Sequence, residues 1–238
     1  SETSRGAKQN SRKPLSKLPK IFKGDEIMLI SASFLSSKKI PTTLTLLNQT
    51  DVDMIHVDVM DGKYVPSKTL PYHQMKHIED YTTKRLDVHL MVEKPSHYID
   101  DYANLNTEYI TVPLNSSEKL LDNLQQIKSY AIKTGVFLNP ETKIEEVVPY
   151  LPYLDLILIM GVQPGAGGQE FLPATIKKLQ ELKQCLKTYP NFSIKISVDG
   201  GVNDKTAPKM KNLTDILVSG SYITNSDDYQ EKITTLRK

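Results

Sequence analysis

In the run Ile55-His56-Val57-Asp58-Val59-Met60-Asp61-Gly62, apolar β-branched residues mark a strand and Asp61-Gly62 marks the turn that ends it. Side chains alternate along a strand, so His56 and Asp58 share one face while Val57 and Val59 take the other. An imidazole beside a carboxylate is costly to bury near a strand end unless the pair is used. A second run, Leu86-Asp87-Val88-His89-Leu90-Met91-Val92, carries another inward candidate, His89. A third, Ile194-Lys195-Ile196-Ser197-Val198-Asp199-Gly200-Gly201, ends in a carboxylate and two glycines. Two histidines and two aspartates on three strand ends suit one divalent cation with a carboxylate on each side of it.

Outward from these three runs the pattern repeats. Short apolar segments fall near 27–33, 54–59, 86–91, 108–112, 134–138, 154–160, 193–198 and 214–219. Helical spacing fills the intervals, most clearly over Glu118–Lys133 and Pro173–Thr188. Pro95, Ser116, Ser117 and Asp204 are expected helix-start residues. Strands and helices that alternate eight times predict an α/β fold, a single-domain (β/α)8 TIM barrel over residues 27–238. An open doubly wound sheet is the competitor, but the first strand lacks a glycine-rich nucleotide turn.

A barrel predicts where chemistry gathers: at the C-terminal ends of strands, with phosphates after strands seven and eight. Asp58, His89 and Asp199 fall at such ends. So do Gly165-Ala166-Gly167-Gly168 after strand six, Gly200-Gly201 after strand seven and Gly220-Ser221 after strand eight. Glycine-bearing loops on one rim let backbone N–H groups approach an anion closely, so the expected ligand ends in a phosphate.

Charge and composition exclude several classes. The formal net charge is +2 over 238 residues. Residues 1–26 hold seven basic residues against three acidic ones, and the remainder holds 23 against 25. The expected barrel is therefore not basic, and no nucleic-acid partner is expected for it. Residues 1–26 read as a flexible basic extension, natural or left by an expression leader, because Met28 just before the first strand would serve as a start. No apolar run reaches the roughly 18 residues of a membrane span, so no membrane partner is expected. The single cysteine, Cys185, sits in a helical pattern and is read as a packed residue of a reducing, cytoplasmic compartment.

Several pieces in order resemble the ribulose-phosphate 3-epimerase family across residues 28–238. They are Ser33-Phe34-Leu35-Ser36, the His56–Gly62 run, Asp87–Val92, Asn139-Pro140, Met160–Gln169, Val198–Val202 and Gly220-Ser221. The resemblance implies a barrel of the ribulose-phosphate-binding type. It also implies that His56, Asp58, His89 and Asp199 hold one divalent ion, commonly zinc, sometimes manganese or iron. Asp58 and Asp199 then match the acid/base carboxylates and Ser33 a substrate-contacting serine. Met60, Met91 and Met160 match methionines that line the substrate, which without the family would read as core packing. Gly165, Ala166, Gly167, Gly168, Gly200, Gly201, Gly220 and Ser221 match phosphate-side contacts, and His89 is counted with the substrate-binding set.

The expected activity is epimerisation at C3 of D-ribulose 5-phosphate to D-xylulose 5-phosphate in the pentose phosphate pathway, by a homo-oligomer, dimer or hexamer. A longer ketose phosphate such as allulose 6-phosphate is the alternative substrate, and a non-catalytic sugar-phosphate-binding barrel the alternative class. Inverting a carbon next to a ketone needs a proton removed from one face and one delivered to the other, which two flanking carboxylates do. The chain departs from the family pattern at Ser37-Lys38, Ser67–Tyr72, Thr111–Pro113, Ala166 and Tyr222, all walls or lid of the expected pocket. Asp61 is read as a turn residue, and His73, His77 and His97 as surface or packing histidines. Lys63 and Lys84 are poorly placed for the lysine that aldol or decarboxylase chemistry would add.

Overall fold

A computed structural model describes residues 27–238; the expected basic extension over 1–26 lies outside the described residues. Eight parallel strands pair in sequence order: β1 (Leu29–Ser33), β2 (Met54–Met60), β3 (Arg85–Met91), β4 (Thr107–Pro113), β5 (Lys133–Leu138), β6 (Leu156–Met160), β7 (Lys195–Asp199) and β8 (Ile216–Ser219). β8 pairs back onto β1 with Leu29 opposite Ile216, so the sheet has no free edge. The expected TIM barrel is the observed architecture.

Every residue of β2 is buried, because each face of the strand meets a different core. Ile55, Val57 and Val59 point outward and pack with Leu44, Leu47, Ile99, Leu124 and Leu179 of the surrounding helices. On the other face, Met54 joins Tyr109, Leu156 and Ile216 in an apolar plug inside the barrel. His56, Asp58 and Met60 follow Met54 along that face. Met60 belongs to a second interior cluster with Met91, Phe137, Met160 and Val218. The polar residues of β2 thus lie between two apolar layers, where an unpaired charge is expensive.

The helices are α1 (Ile40–Asn48), α2 (Tyr72–Met75), α3 (Ser96–Ala103), α4 (Leu120–Ser129), α5 (Ala174–Lys187), α6 (Ala207–Met210), α7 (Ser221–Thr224) and α8 (Tyr229–Leu236). They do not follow the strands one for one. Two come after β8, and between β5 and β6 the chain makes only 3-10 turns at Ile144–Glu146 and Val148–Tyr153. Pro149 and Pro152 explain this, since each removes an N–H that an α-helix interior needs. Of the expected helix starts, Pro95 does flank the first residue of α3. Ser116 and Ser117 do not cap α4, whose N-cap is Lys119. They order the preceding loop instead: Ser116 Oγ accepts the Glu118 N–H at 3.3 Å, and Ser117 Oγ donates to the Glu93 carbonyl at 2.9 Å. Nor does Asp204 start α6. Its neighbour Asn203 accepts the N–H groups of Lys205 and Thr206 at 2.9 and 3.1 Å.

The N-terminal rim is closed by carboxylates placed one residue before three strands. Asp53, Asp155 and Asp215 accept the backbone N–H of Ile30, Thr134 and Ile196 at 2.8, 2.9 and 2.7 Å. Arg237, just past α8, adds a clasp: it donates to Asp53 at 2.7 Å, to the Asp51 carbonyl at 3.0 Å and to the Met28 carbonyl at 3.3 Å.

Candidate active site

Strand pairing brings the four expected ligands together. His56 and Asp58 stand two apart on β2, Asp58 lies opposite His89 on β3, and Asp199 ends β7 across the barrel. Asp58 Oδ1 is 3.3 Å from His56 Nε2 and 3.4 Å from His89 Nδ1. Asp199 Oδ2 is 3.4 Å from each of the same two nitrogens. All four donor atoms lie within 4.8 Å of one another.

These contacts are not hydrogen bonds. His56 Nε2 and both ring nitrogens of His89 are buried without a hydrogen-bond partner. Two imidazole nitrogens and two carboxylate oxygens gathered this closely are the donor set that a divalent cation requires once the nitrogens give up their protons. Two donors roughly 2.0–2.2 Å from one tetrahedral ion stand about 3.4 Å apart, close to the spacing found here. The residues fit a bound cation, and the donor set suits zinc, manganese or iron alike.

Charge follows the same geometry. Burial works against a charged His56, but Asp58, Asp87 and Asp199 around it outweigh burial and raise its pKa well above the usual histidine value. His89 is raised in the same way by Asp199 and Asp58. Burial pushes both carboxylates up, yet the two imidazoles hold Asp58 and Asp199 below the usual carboxylate range.

The remaining ligand-side groups are pinned. Ser33 Oγ donates to the other Asp58 oxygen at 2.8 Å and accepts the Leu35 N–H at 3.2 Å. His56 Nδ1 is 2.8 Å from Asp87 Oδ2, which also accepts the Ser31 hydroxyl at 2.8 Å. Asp87 was not singled out by the sequence, although it stands two residues before His89 on the same inward face.

A cavity of about 370 Å³ opens at the C-terminal end of the barrel above this cluster. Its walls hold Ser33, Asp58, Asp199, Met60, Met91 and Met160. Its rim is built from Gly165, Ala166, Gly167 and Gly168 after β6, Gly200 and Gly201 after β7, and Gly220 and Ser221 after β8. Of the expected substrate-binding residues only His89 fails to line it; that ring is fully buried behind the wall. Ser36, Gln169 and Asn203 also line the cavity; Ser36 and Gln169 fall within stretches that carry the resemblance but have no role assigned by it, and Asn203 lies just past one. No lysine or arginine is among the described lining residues.

The two glycines after β7 are needed for space. Gly201 has φ +68°, and a Cβ there would stand 2.5 Å from the Phe171 backbone nitrogen. The loop after β6 is closed on itself by Gln169, whose amide donates to the Gln163 and Ala166 carbonyls at 2.8 Å each. Asp61 is the turn residue expected: its carboxylate accepts the N–H groups of Lys63, Tyr64 and Glu93 at 2.8, 2.9 and 2.8 Å, tying the loops after β2 and β3 together. His73, His77 and His97 are exposed, as expected. Lys84 donates to the Thr50 carbonyl at 2.9 Å, away from the cavity. Among the described residues no helix is long and apolar enough to cross a membrane.

Comparison with known proteins points to one family. The model of the ribulose-phosphate 3 epimerase family matches residues 27–224. The ribulose-phosphate 3-epimerase of Helicobacter pylori is 38% identical over 202 residues, 84% of this chain and 93% of its own length. That of Bacillus subtilis is 36% identical over 186 residues, 78% of this chain and 86% of its own. Among solved structures, KGPDC from Streptococcus mutans in complex with D-R5P superposes with a TM-score of 0.67 at 12% identity, over 88% of this chain and 95% of that one, a likeness of fold alone. The family match over most of the chain and the relatives' identity decide the matter: this chain belongs to the ribulose-phosphate 3-epimerase family.

Proposed function

We propose that the chain inverts C3 of D-ribulose 5-phosphate to give D-xylulose 5-phosphate, with Asp58 and Asp199 as the two proton-transfer groups. The observation that carries this reading is the convergence of Asp58 Oδ1 and Asp199 Oδ2 on the same two imidazole nitrogens, in the wall of one cavity. One carboxylate takes the C3 proton and leaves a planar enediolate between C2 and C3. The other, which must first take up a proton although the two imidazoles favour its ionised form, gives that proton to the opposite face of C3. The pair holds one proton before and after, so the reverse reaction exchanges the two roles.

Ser33 holds Asp58 by its second oxygen, which leaves Oδ1 directed at the cluster. Met60, Met91 and Met160 give the flat intermediate an apolar bed that excludes water. The glycine rim offers backbone N–H groups to the phosphate. His56, Asp58, His89 and Asp199 would hold a divalent cation, which when bound supplies Lewis-acid stabilisation of negative charge developing on the substrate oxygens.

The test is a metal analysis paired with deuterium incorporation from D2O at C3 of D-ribulose 5-phosphate, with allulose 6-phosphate assayed alongside. Asp58→Asn and Asp199→Asn are each expected to lose roughly 10²-fold or more in kcat. Retained turnover in either variant, or no exchange at C3, removes the assignment. Faster turnover of the hexulose phosphate replaces the substrate and keeps the chemistry.

A further inference from the structure

We propose that Asp87 is a positioning residue: through its bond to Nδ1 it fixes which ring nitrogen of His56 faces the cation. The proposal rests on the metal reading above. His56 and Asp87 lie directly opposite each other on β2 and β3, and Ser31 reaches Asp87 from β1. All three are buried, with His56 at 1% and Asp87 at 3% exposure. Asp87 is absent from the cavity wall, so it has no route to the substrate.

A neutral imidazole has one N–H and one lone pair. The 2.8 Å contact to a carboxylate makes Nδ1 the donor. Nε2 is then the lone pair, and it is Nε2 that faces Asp58 and Asp199 without a hydrogen-bond partner. The opposite tautomer would direct an N–H at the cation and block ligation. Ser31 donates to the same Asp87 oxygen, so that oxygen takes two donors from different strands and its angle to the ring is set. Partners of this kind orient a metal-bound histidine and raise its basicity. His89 has no such partner: its second nitrogen is buried and unpaired. Orientation by hydrogen bond therefore falls on one of the two histidines.

Zinc affinity is to be measured by competition with a chromogenic chelator for the metal-free wild type, Asp87→Ala, Asp87→Asn and Ser31→Ala, with metal-free thermal melts alongside. Asp87→Ala is expected to bind zinc 10–100-fold more weakly. Asp87→Asn keeps an oxygen that can accept both the Nδ1 proton and the Ser31 hydroxyl, and is expected to recover at least half of that loss on a logarithmic scale. A residue that only supports the fold would lower the melting temperature and leave zinc affinity unchanged. Nitrogen-15 spectra of the zinc-loaded wild type should show His56 protonated at Nδ1, a readout that survives if Asp87→Ala does not fold. Wild-type zinc affinity in folded Asp87→Ala, or a His56 Nδ1 without its proton, overturns this proposal alone. A wild type that binds neither zinc nor manganese overturns the metal reading and this proposal with it.

Discussion

Asp61 shows how much one side chain on a strand end holds. Its carboxylate satisfies three backbone N–H groups from two loops, and no neutral side chain of its size does the same. Asp61→Ala is expected to cost about 1–3 kcal/mol in chemical denaturation, because three donors lose their acceptor. Burial raises the Asp61 pKa, but the three N–H groups outweigh burial and lower it. Its contribution to stability is therefore full above the unfolded carboxylate value near 4 and is lost as pH falls through the lower, folded value. Urea unfolding at several acidic pH values should show that slope reduced in the variant. Gly201→Ala places a methyl group against the Phe171 backbone at a positive φ, so lower activity and a lower melting temperature are expected together. Residue roles were legible where they follow from strand alternation, which is local: His56, Asp58 and Met60 are two apart and share a face. The place of Asp87 needed the register that sets it opposite His56, and one strand read alone does not carry that register.

At the scale of elements, the period of the apolar pattern was enough to find all eight strands, because both faces of a parallel strand in a barrel are buried. Helix boundaries were less legible. The serines before α4 are ordinary capping residues by type, and here Ser116 bonds within its own loop while Ser117 bonds to the loop after β3. The stretch between β5 and β6 has helical length, but its two prolines tighten it into 3-10 turns. The Arg237 clasp could not be foreseen, since it joins the last turn of the chain to the connection between β1 and β2. Its side chain is 19% exposed, and of its two partners Asp53, at 29%, is more sheltered than Asp51, at 59%, so the Asp53 pair carries more of the clasp. Arg237→Ala is expected to lower stability by about 1–2 kcal/mol. That corresponds to a fall in melting temperature of roughly 2–8 °C for a chain of this size, measurable by calorimetry. Turnover per folded molecule should be unchanged, since the clasp lies at the end of the barrel away from the cavity.

For the molecule as a whole, the metal-free cluster holds protons that a cation must displace. Neighbouring carboxylates raise both histidines, so zinc uptake is expected to release protons and to weaken as pH falls. Titration calorimetry in two buffers of different ionisation enthalpy measures the release, and equal heats in both would contradict it. Fold class was the most legible property of all, because strand period and strand order together leave few closed arrangements. The charge of the cavity was the least legible, since its walls come from the ends of six different strands and the loops after four of them. Those walls carry Asp58, Asp199 and Glu170 and, among the described residues, no lysine or arginine. A phosphate ester approaching the ion-free protein meets carboxylates offset only by the two buried histidines beneath them. A bound cation adds positive charge at that spot, so cation and sugar phosphate are each expected to tighten the hold on the other. Demetallated protein is accordingly expected to hold its own substrate more weakly in an equilibrium binding measurement, long before any question of turnover arises.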